Sequence, residues 1–260
     1  MKKPMSISWQ QASFVKKVFG IFPLALFFVF ISMIYSSFSF ATPGSQPDFQ
    51  VKADSGKAVV TAMSVYDSLH LEEAGLNRDA FDCAQKGWAK LVSQGRIANS
   101  SVIAIVDFSQ PSSQKRLYVL DMKNYKMLFN TLVAHGRNSG AEWASSFSNE
   151  PSSYKSSPGF YITGATYTGG NGYSLRLNGI EKGINDRAGD RAIVMHGADY
   201  VNPSYIKTLG YIGRSQGCPA VSRQEAGPII NTLKDGACLF IYTPGQQYVS
   251  HSQLLADSLS

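Results

Sequence analysis

Short hydrophobic runs separated by polar turn clusters dominate the chain from residue 102 onward. Residues 102–108, 116–121 and 126–134 follow one another with turns between them, which predicts an antiparallel meander. Four further β-rich runs are residues 159–168, 173–178, 191–196 and 237–242. Because helical segments do not alternate with these runs, the pattern predicts a mainly β domain and not a βαβ fold.

Helical patterns precede and interrupt this β region. Residues 58–71 are compatible with a helix, and a second helix is predicted from Asn77 as N-cap to a stop at Gly95. At 100° per residue one apolar stripe of the second helix contains Phe81, Ala84, Trp88, Leu91 and Val92. Cys83 falls on the opposite, lysine-bearing side. A later helix is predicted to open with the capping box 222–225 and to end at Gly236.

A long polar stretch, residues 137–157, lies in the middle of the β region. Loops of this length are uncommon in compact domains and are usually functional or mobile. It carries Trp143, Phe147 and Tyr154 among serines, which is typical of a mobile lid that covers a binding cleft. A plain surface loop is the alternative interpretation.

The first 41 residues have the pattern of a secretory signal: lysines, then the apolar run 21–35, then Ser39 and Ala41 at the cleavage positions. The alternative is an uncleaved inner-membrane anchor formed by residues 21–41. Either way the working domain is expected in the periplasm or cell envelope. Residues 42–57, rich in proline, glycine and serine, are predicted as a linker.

These signals divide the chain into a signal peptide (1–41), a linker (42–57), a helical N-terminal segment (58–98), a β-rich domain (99–245) and a C-terminal tail (246–260). Composition excludes a nucleic-acid partner. The net charge is +6, but four lysines lie in the export segment, where no acidic residue occurs. The rest of the chain contains 20 basic and 18 acidic residues, so the folded part carries no strong positive charge. The membrane is expected as a partner only through an uncleaved signal.

Two short segments, residues 195–199 and 214–219, contain the residue types needed for nucleophilic catalysis. Cys218 follows Gly217 on a predicted turn, and His196 ends an apolar strand that would hold an imidazole rigidly. A thiol is a strong nucleophile only as thiolate, so a nearby imidazole must take its proton. The N–H groups of residues 216–218 could bind a developing oxyanion. The alternative is a small buried structural cysteine.

Other candidate groups are fewer. His135 is a candidate for a substrate-side group. Arg187, Arg191 and Arg214 are candidates for holding a substrate carboxylate, and of these Arg214 is favoured because arginines are usually solvated. His70 and His251 are interpreted as solvated. No metal site is predicted, because His, Cys, Asp and Glu show no ligand spacing. Cys83 and Cys238 are predicted to form a disulfide, since the exported chain meets oxidising conditions and Cys218 must stay free.

His196-Gly197, followed some twenty residues later by Ser215-Gln216-Gly217-Cys218, resembles the signature of the murein L,D-transpeptidase catalytic-domain family. The resemblance extends over residues 101–243 and includes the proline-glycine-aromatic stretch 157–161. It implies an L,D-transpeptidase-like β-sandwich with a helical N-terminal segment and one helix after the catalytic cysteine.

The resemblance also implies roles for the motif residues. Cys218 would form a thioacyl-enzyme, His196 would be the base, and the Gly197 carbonyl would orient the imidazole. Gln216, Gly217 and Cys218 would supply the oxyanion-hole amides, with Ser215 steadying the turn. Gln216 stands where the family has a second histidine, and Ala220 where it commonly has arginine or asparagine. These departures, with a wider His-to-Cys spacing, indicate a divergent branch.

The activity implied is acyl transfer on peptidoglycan stem peptides without a cofactor, giving 3→3 cross-links or attaching an envelope protein to the wall. An L,D-carboxypeptidase or amidase with the same Cys-His pair is one alternative. A non-catalytic wall-binding protein with a structural Cys218 is another.

Overall fold

The computed structural model describes residues 64–256, which form one eight-stranded sheet with five helices. The strands are β1 (Asn99–Asp107), β2 (Leu117–Asp121), β3 (Lys126–Thr131), β4 (Gly159–Gly169), β5 (Gly172–Gly179), β6 (Val194–Ala198), β7 (Ala220–Ser222) and β8 (Ala237–Tyr242). The helices are α1 (Val65–Ser68), α2 (Arg78–Ser93), α3 (Pro203–Leu209), α4 (Arg223–Leu233) and α5 (Gln246–His251). The predicted mainly β class is confirmed.

The predicted export segment and linker lie outside the described residues, as does the first part of the helix predicted over 58–71. Within 64–256 no helix combines the length and hydropathy needed to cross a bilayer.

The strand order in the sheet is β3-β2-β1-β8-β4-β5-β6-β7. The meander β1-β2-β3 is antiparallel as predicted, whereas β8 adds parallel to β1 and β7 parallel to β6. Along β1, Val102, Ala104 and Val106 face one core while Ile103 and Ile105 face another. Burial on both faces explains why this strand is a continuous apolar run instead of an alternating one.

The sheet curls until its two edges meet. The chain that continues from β3 pairs at Ala134 with Ala220 of β7, and at Gly136 with Ser215. The two layers of the predicted sandwich are therefore the two sides of one closed sheet. We call this meeting line, residues 134–136 against 215–220, the closure line.

The inner core fills the space inside the curled sheet and is completed by α4, through Ile229, Ile230 and Leu233. Ser222 caps α4 by accepting a hydrogen bond from the Glu225 N–H at 3.3 Å, as the predicted capping box requires. Because β7 leads directly into α4, the cap at Ser222 also holds the β7 side of the closure line in position.

A second core covers the outer face of the central strands. Helix α2 contributes Phe81, Ala84 and Leu91 to it, capped by Asn77 as predicted, although Val92 from the predicted stripe is 36% exposed. The C-terminal segment also belongs to this core through Tyr248, Leu254 and Leu255. Residues 246–256 therefore pack as part of the domain and are not a loose tail.

The cysteines differ from the predicted pairing. Cys83, Cys218 and Cys238 are all free thiols. Cys238 is completely buried on β8, and burial raises the pKa of its thiol, so it behaves as a small core residue. Cys83 is partly exposed on α2.

Candidate active site

The turn that carries Cys218 is held by its own hydrogen bonds. The Ser215 hydroxyl donates to the Cys218 carbonyl at 2.6 Å and accepts from the Gly217 N–H at 3.0 Å. The Ser215 backbone is in turn held across the closure line, because its N–H donates to the His135 carbonyl at 2.9 Å. Ser215 thus joins the turn to the sheet.

Gly217 is required by this turn. Its φ is +122°, a conformation that side chains rarely adopt, and a Cβ there would lie 2.8 Å from the Lys155 carbonyl oxygen. Glycine therefore lets the turn pass close against residues 153–157, which form one wall beside Cys218.

The Cys218 thiol is nearly buried, with 9% of the residue exposed. Sγ lies 3.5 Å from the Val194 N–H and 3.9 Å from the Ala192 carbonyl oxygen. Burial raises the pKa of the thiol, while the Val194 N–H and the Arg191 guanidinium act in the opposite direction. The resting thiol is therefore protonated at neutral pH and needs a base.

His196 lies in the middle of β6, between Ser174 of β5 and Ala220 of β7. Its Nδ1 is 3.1 Å from the Gly197 carbonyl oxygen, so Nδ1 carries the proton that it donates, and Nε2 keeps a free lone pair. Burial, together with the charge of Arg223, lowers the pKa of His196 against the opposing effect of the Gly197 hydrogen bond. The imidazole is consequently neutral at pH 7 and able to accept a proton.

The predicted oxyanion donors are not equivalent. The Gly217 N–H is already donated to the Ser215 hydroxyl. This leaves the N–H groups of Gln216 and Cys218 as candidate donors, with the Gln216 side chain exposed at the surface.

Cys218 and His196 line the same cleft, which has a volume of about 680 Å³. Its walls carry four arginines: Arg137, Arg191, Arg214 and Arg223. Of these four arginines only Arg223 forms an ion pair with a carboxylate within residues 64–256, with Asp199 at 2.6 Å, and Asp190 is the other acidic residue of the lining. The cleft is therefore suited to an anionic ligand.

Arg214 is exposed at the cleft, as expected for a substrate-facing group, and its Nη1 donates to the Gly140 carbonyl at 3.0 Å. Ala220, in contrast, is fully buried on the closure line beside His196, so a longer residue has no room there.

The sequence offers Arg191 only as a weaker candidate for holding a substrate carboxylate, whereas in the structure it organises the wall beside Cys218. It donates to the Ser148 carbonyl at 2.8 Å, and also to the Ser157 hydroxyl and the Lys155 carbonyl. Its guanidinium is the one positive charge that lowers the pKa of Cys218. The position of Arg191 just before β6 was the only available signal, and isolated arginines are usually solvated.

The structure places His135 away from the cleft. It is completely buried, with Nδ1 2.7 Å from Arg116 Nη2 and Nε2 3.3 Å from the Gly140 carbonyl oxygen. Burial and the Arg116 charge lower the pKa of His135 to about 4. His135 therefore supports the loop that begins at residue 137, and it lies outside the lining of the cleft.

The polar stretch 137–157 has no helix or strand but is densely hydrogen bonded. Phe147 stacks on Phe108 of the inner core at 6.2 Å between ring centroids, and Arg137 lies 4.0 Å over the Tyr154 ring beside the cleft. Trp143 is 51% exposed and is not part of the cleft lining. Four of its residues, Arg137, Pro151, Ser152 and Tyr154, line the cleft, so part of the stretch forms one of its walls.

Within residues 64–256 no group of three or more His, Cys, Asp or Glu side chains could hold a metal ion.

A family model described as the L,D-transpeptidase catalytic domain matches residues 72–242. Among curated proteins no match is found. Similar solved structures include an L,D-transpeptidase from Mycobacterium smegmatis, at 13% identity and a TM-score of 0.34 over 55% of this chain and 59% of that one. An L,D-transpeptidase from Stackebrandtia nassauensis has 15% identity and a TM-score of 0.33 over 74% and 85% of the two chains. A variant of the helical cell shape determining protein Pgp2 from Campylobacter jejuni has 13% identity and a TM-score of 0.38 over 69% and 62%.

The chain spans about three-fifths of the length of the M. smegmatis protein. The family model, however, covers α2, the whole sheet and both site segments, and it extends over more than half of the chain. This chain therefore belongs to the L,D-transpeptidase catalytic-domain family.

Proposed function

We propose that this protein is a cysteine-dependent acyltransferase that acts on peptidoglycan stem peptides through a thioacyl-enzyme. The observation that supports it most is the neutral imidazole of His196, oriented by the Gly197 carbonyl, in the same cleft as the Cys218 thiol. A protonated thiol and a free Nε2 are the resting state that general-base activation of a nucleophile requires.

In the first half-reaction Sγ of Cys218 adds to the carbonyl of the third stem residue, and its proton passes to His196 Nε2. The carbonyl oxygen becomes an oxyanion held by the N–H groups of Gln216 and Cys218. The tetrahedral intermediate then breaks its C–N bond. The terminal D-alanine leaves as an amine and takes the proton from His196.

In the second half-reaction an amine on a neighbouring stem attacks the thioester, and His196 accepts its proton. The C–S bond then breaks and Sγ takes the proton back from His196, which gives a 3→3 cross-link and a regenerated thiol. The lysine of a wall-linked envelope protein could serve as the same kind of acceptor. No cofactor is needed, because the thioester retains the free energy of the cleaved peptide bond.

The arginines of the cleft fit this substrate class, since a stem peptide ends in a carboxylate. Arg214 and Arg137 are placed to attract it at the mouth of the cleft, and both are exposed. Residues 1–41 would direct export to the periplasm or remain as an anchor, with 42–57 as a linker. The mass of the mature protein tests this, because cleavage predicts Thr42 as its first residue.

To test the function, the protein is incubated with tetrapeptide-containing muropeptides and the masses of the products are measured by mass spectrometry. Cross-linked dimers with released D-alanine are expected, and tripeptide alone would indicate hydrolysis instead. Cys218→Ala and His196→Ala should abolish both products while thermal unfolding stays near wild type. Cys83→Ala is the matched control and should remain active. Turnover that persists in the Cys218 variant would refute the mechanism.

A further inference from the structure

We propose that Tyr200 is a further catalytic residue, whose phenolic O–H donates a hydrogen bond to the substrate carbonyl oxygen when Cys218 adds to it. The inference rests on the proposed function, because it assigns a donor to the same oxyanion. Its first support is a deficit in the turn itself. Of the three backbone N–H groups at residues 216–218, the one of Gly217 is already bound to the Ser215 hydroxyl at 3.0 Å.

Tyr200 lines the cleft in which a further donor would act. It follows His196 by four residues, directly after β6, and it lines the cleft together with His196 and Cys218. No hydrogen bond of its hydroxyl to any residue within 64–256 is present, so the O–H is available to a ligand in the cleft.

The ring of Tyr200 is held rigidly. Its backbone carbonyl accepts a hydrogen bond from the Gly213 N–H at 2.8 Å. A Cβ on Gly213 would lie 2.4 Å from Cβ and 2.9 Å from Cγ of Tyr200, so only glycine lets Tyr200 lie against the segment that leads to Cys218. The apolar part of the ring also packs on the small cluster that contains Val201, Ile212 and Ala220. A donor fixed in this way loses little entropy when a substrate binds.

The hydroxyl keeps its proton under all relevant conditions. Burial raises the pKa of Tyr200 well above its usual range, and proximity to the Cys218 thiolate raises it further. Tyr200 is therefore a donor and not a base, which leaves His196 as the proton acceptor.

Two reagents separate this role from a structural one. p-Nitrophenyl acetate acylates a thiol through an oxyanion: the Sγ–C bond forms, the proton goes to His196, and p-nitrophenolate leaves. Iodoacetamide alkylates the same thiol by displacing iodide, without an oxyanion. Modification of Cys218 by each reagent is followed by the mass of its peptide, in the wild type and in Tyr200→Phe.

Tyr200→Phe should slow acylation of Cys218 about 100- to 1000-fold, since one oxyanion donor commonly contributes this much, and should leave alkylation within about twofold. With a tetrapeptide muropeptide, kcat should fall by a similar factor while KM changes little. Tyr205→Phe is the control, because Tyr205 is exposed on α3 and lies outside the cleft lining. It should behave as wild type in every assay.

Equal acylation rates in wild type and Tyr200→Phe would overturn the proposal. A parallel loss of acylation and alkylation would overturn it too, because Tyr200 would then act on the thiol or on the turn. If wild type is acylated by p-nitrophenyl acetate but not by stem peptides, the proposed substrate fails while the Tyr200 comparison still decides the inference.

Discussion

Replacing Gly217 with alanine should destabilise the protein by about 3 kcal/mol and displace the nucleophile. The residue has a φ of +122° and a Cβ would lie 2.8 Å from the Lys155 carbonyl oxygen and 3.0 Å from Ile193 Cδ1. A strained backbone of this kind costs about 1–3 kcal/mol. Forcing a methyl group into a filled space costs about 1–3 kcal/mol more.

The loss is measured by thermal unfolding followed by circular dichroism. In a domain of this size each kcal/mol shifts Tm by about 2–4 °C, so Gly217→Ala should lower Tm by roughly 6–12 °C. Alkylation of Cys218 should also slow, because Sγ moves away from the Val194 N–H, which lies 3.5 Å from it.

Alanine substitutions at two other glycines separate backbone strain from steric crowding as causes of the lost stability. Gly183 has a φ of +77° with no atom near its Cβ position, so Gly183→Ala measures backbone strain alone. Gly227, within α4, has open space and no positive φ, so Gly227→Ala should stabilise the protein by up to about 1 kcal/mol. If Gly217→Ala loses no more stability than Gly183→Ala, the close approach to Lys155 is not what demands glycine.

Three further predictions follow from the ionisable groups. Since the pKa of His196 is lowered and its neutral form is the base, kcat/KM should stay constant as pH falls through 6.5 and drop only below it; a midpoint above 6.5 would contradict this. The folded pKa of His135 is about 4 against an ordinary 6.5, so His135 favours folding above pH 6.5 and loses this contribution, about 3 kcal/mol, as pH falls toward 4. The free energy of urea unfolding should fall less between pH 7 and pH 4.5 in His135→Asn than in the wild type, since Oδ1 of the asparagine can replace Nδ1 opposite Arg116. An equal fall in both proteins would refute the role of His135. Arg191→Gln removes the charge that lowers the pKa of Cys218, so the pH midpoint of Cys218 alkylation should rise. Arg187→Gln, at a half-buried arginine that pairs with Glu150, should leave this midpoint unchanged.

Local patterns predicted those elements whose signal lies in neighbouring residues. The N-cap Asn77, the capping box at Ser222 and the meander β1-β2-β3 appear in the structure where the sequence puts them. Helix α3 was missed because it buries no residue and so has no apolar stripe, although Asn202 caps it and Gly210 ends it. Strand β7 was missed because three residues are too few for an alternating pattern.

The sequence by itself determined the mainly β class, the family resemblance and the pairing of Cys218 with His196 as candidates, because periodicity and a short motif are carried by residues close together in the chain. Only the tertiary structure decided that His135 is buried against Arg116, that Arg191 holds the wall beside the thiol, and that all three cysteines are free. These outcomes depend on the closure line, where Ala134 meets Ala220 across 86 residues of chain. Contacts between such distant segments are set by how the whole sheet curls around its core, and no local pattern encodes that curvature.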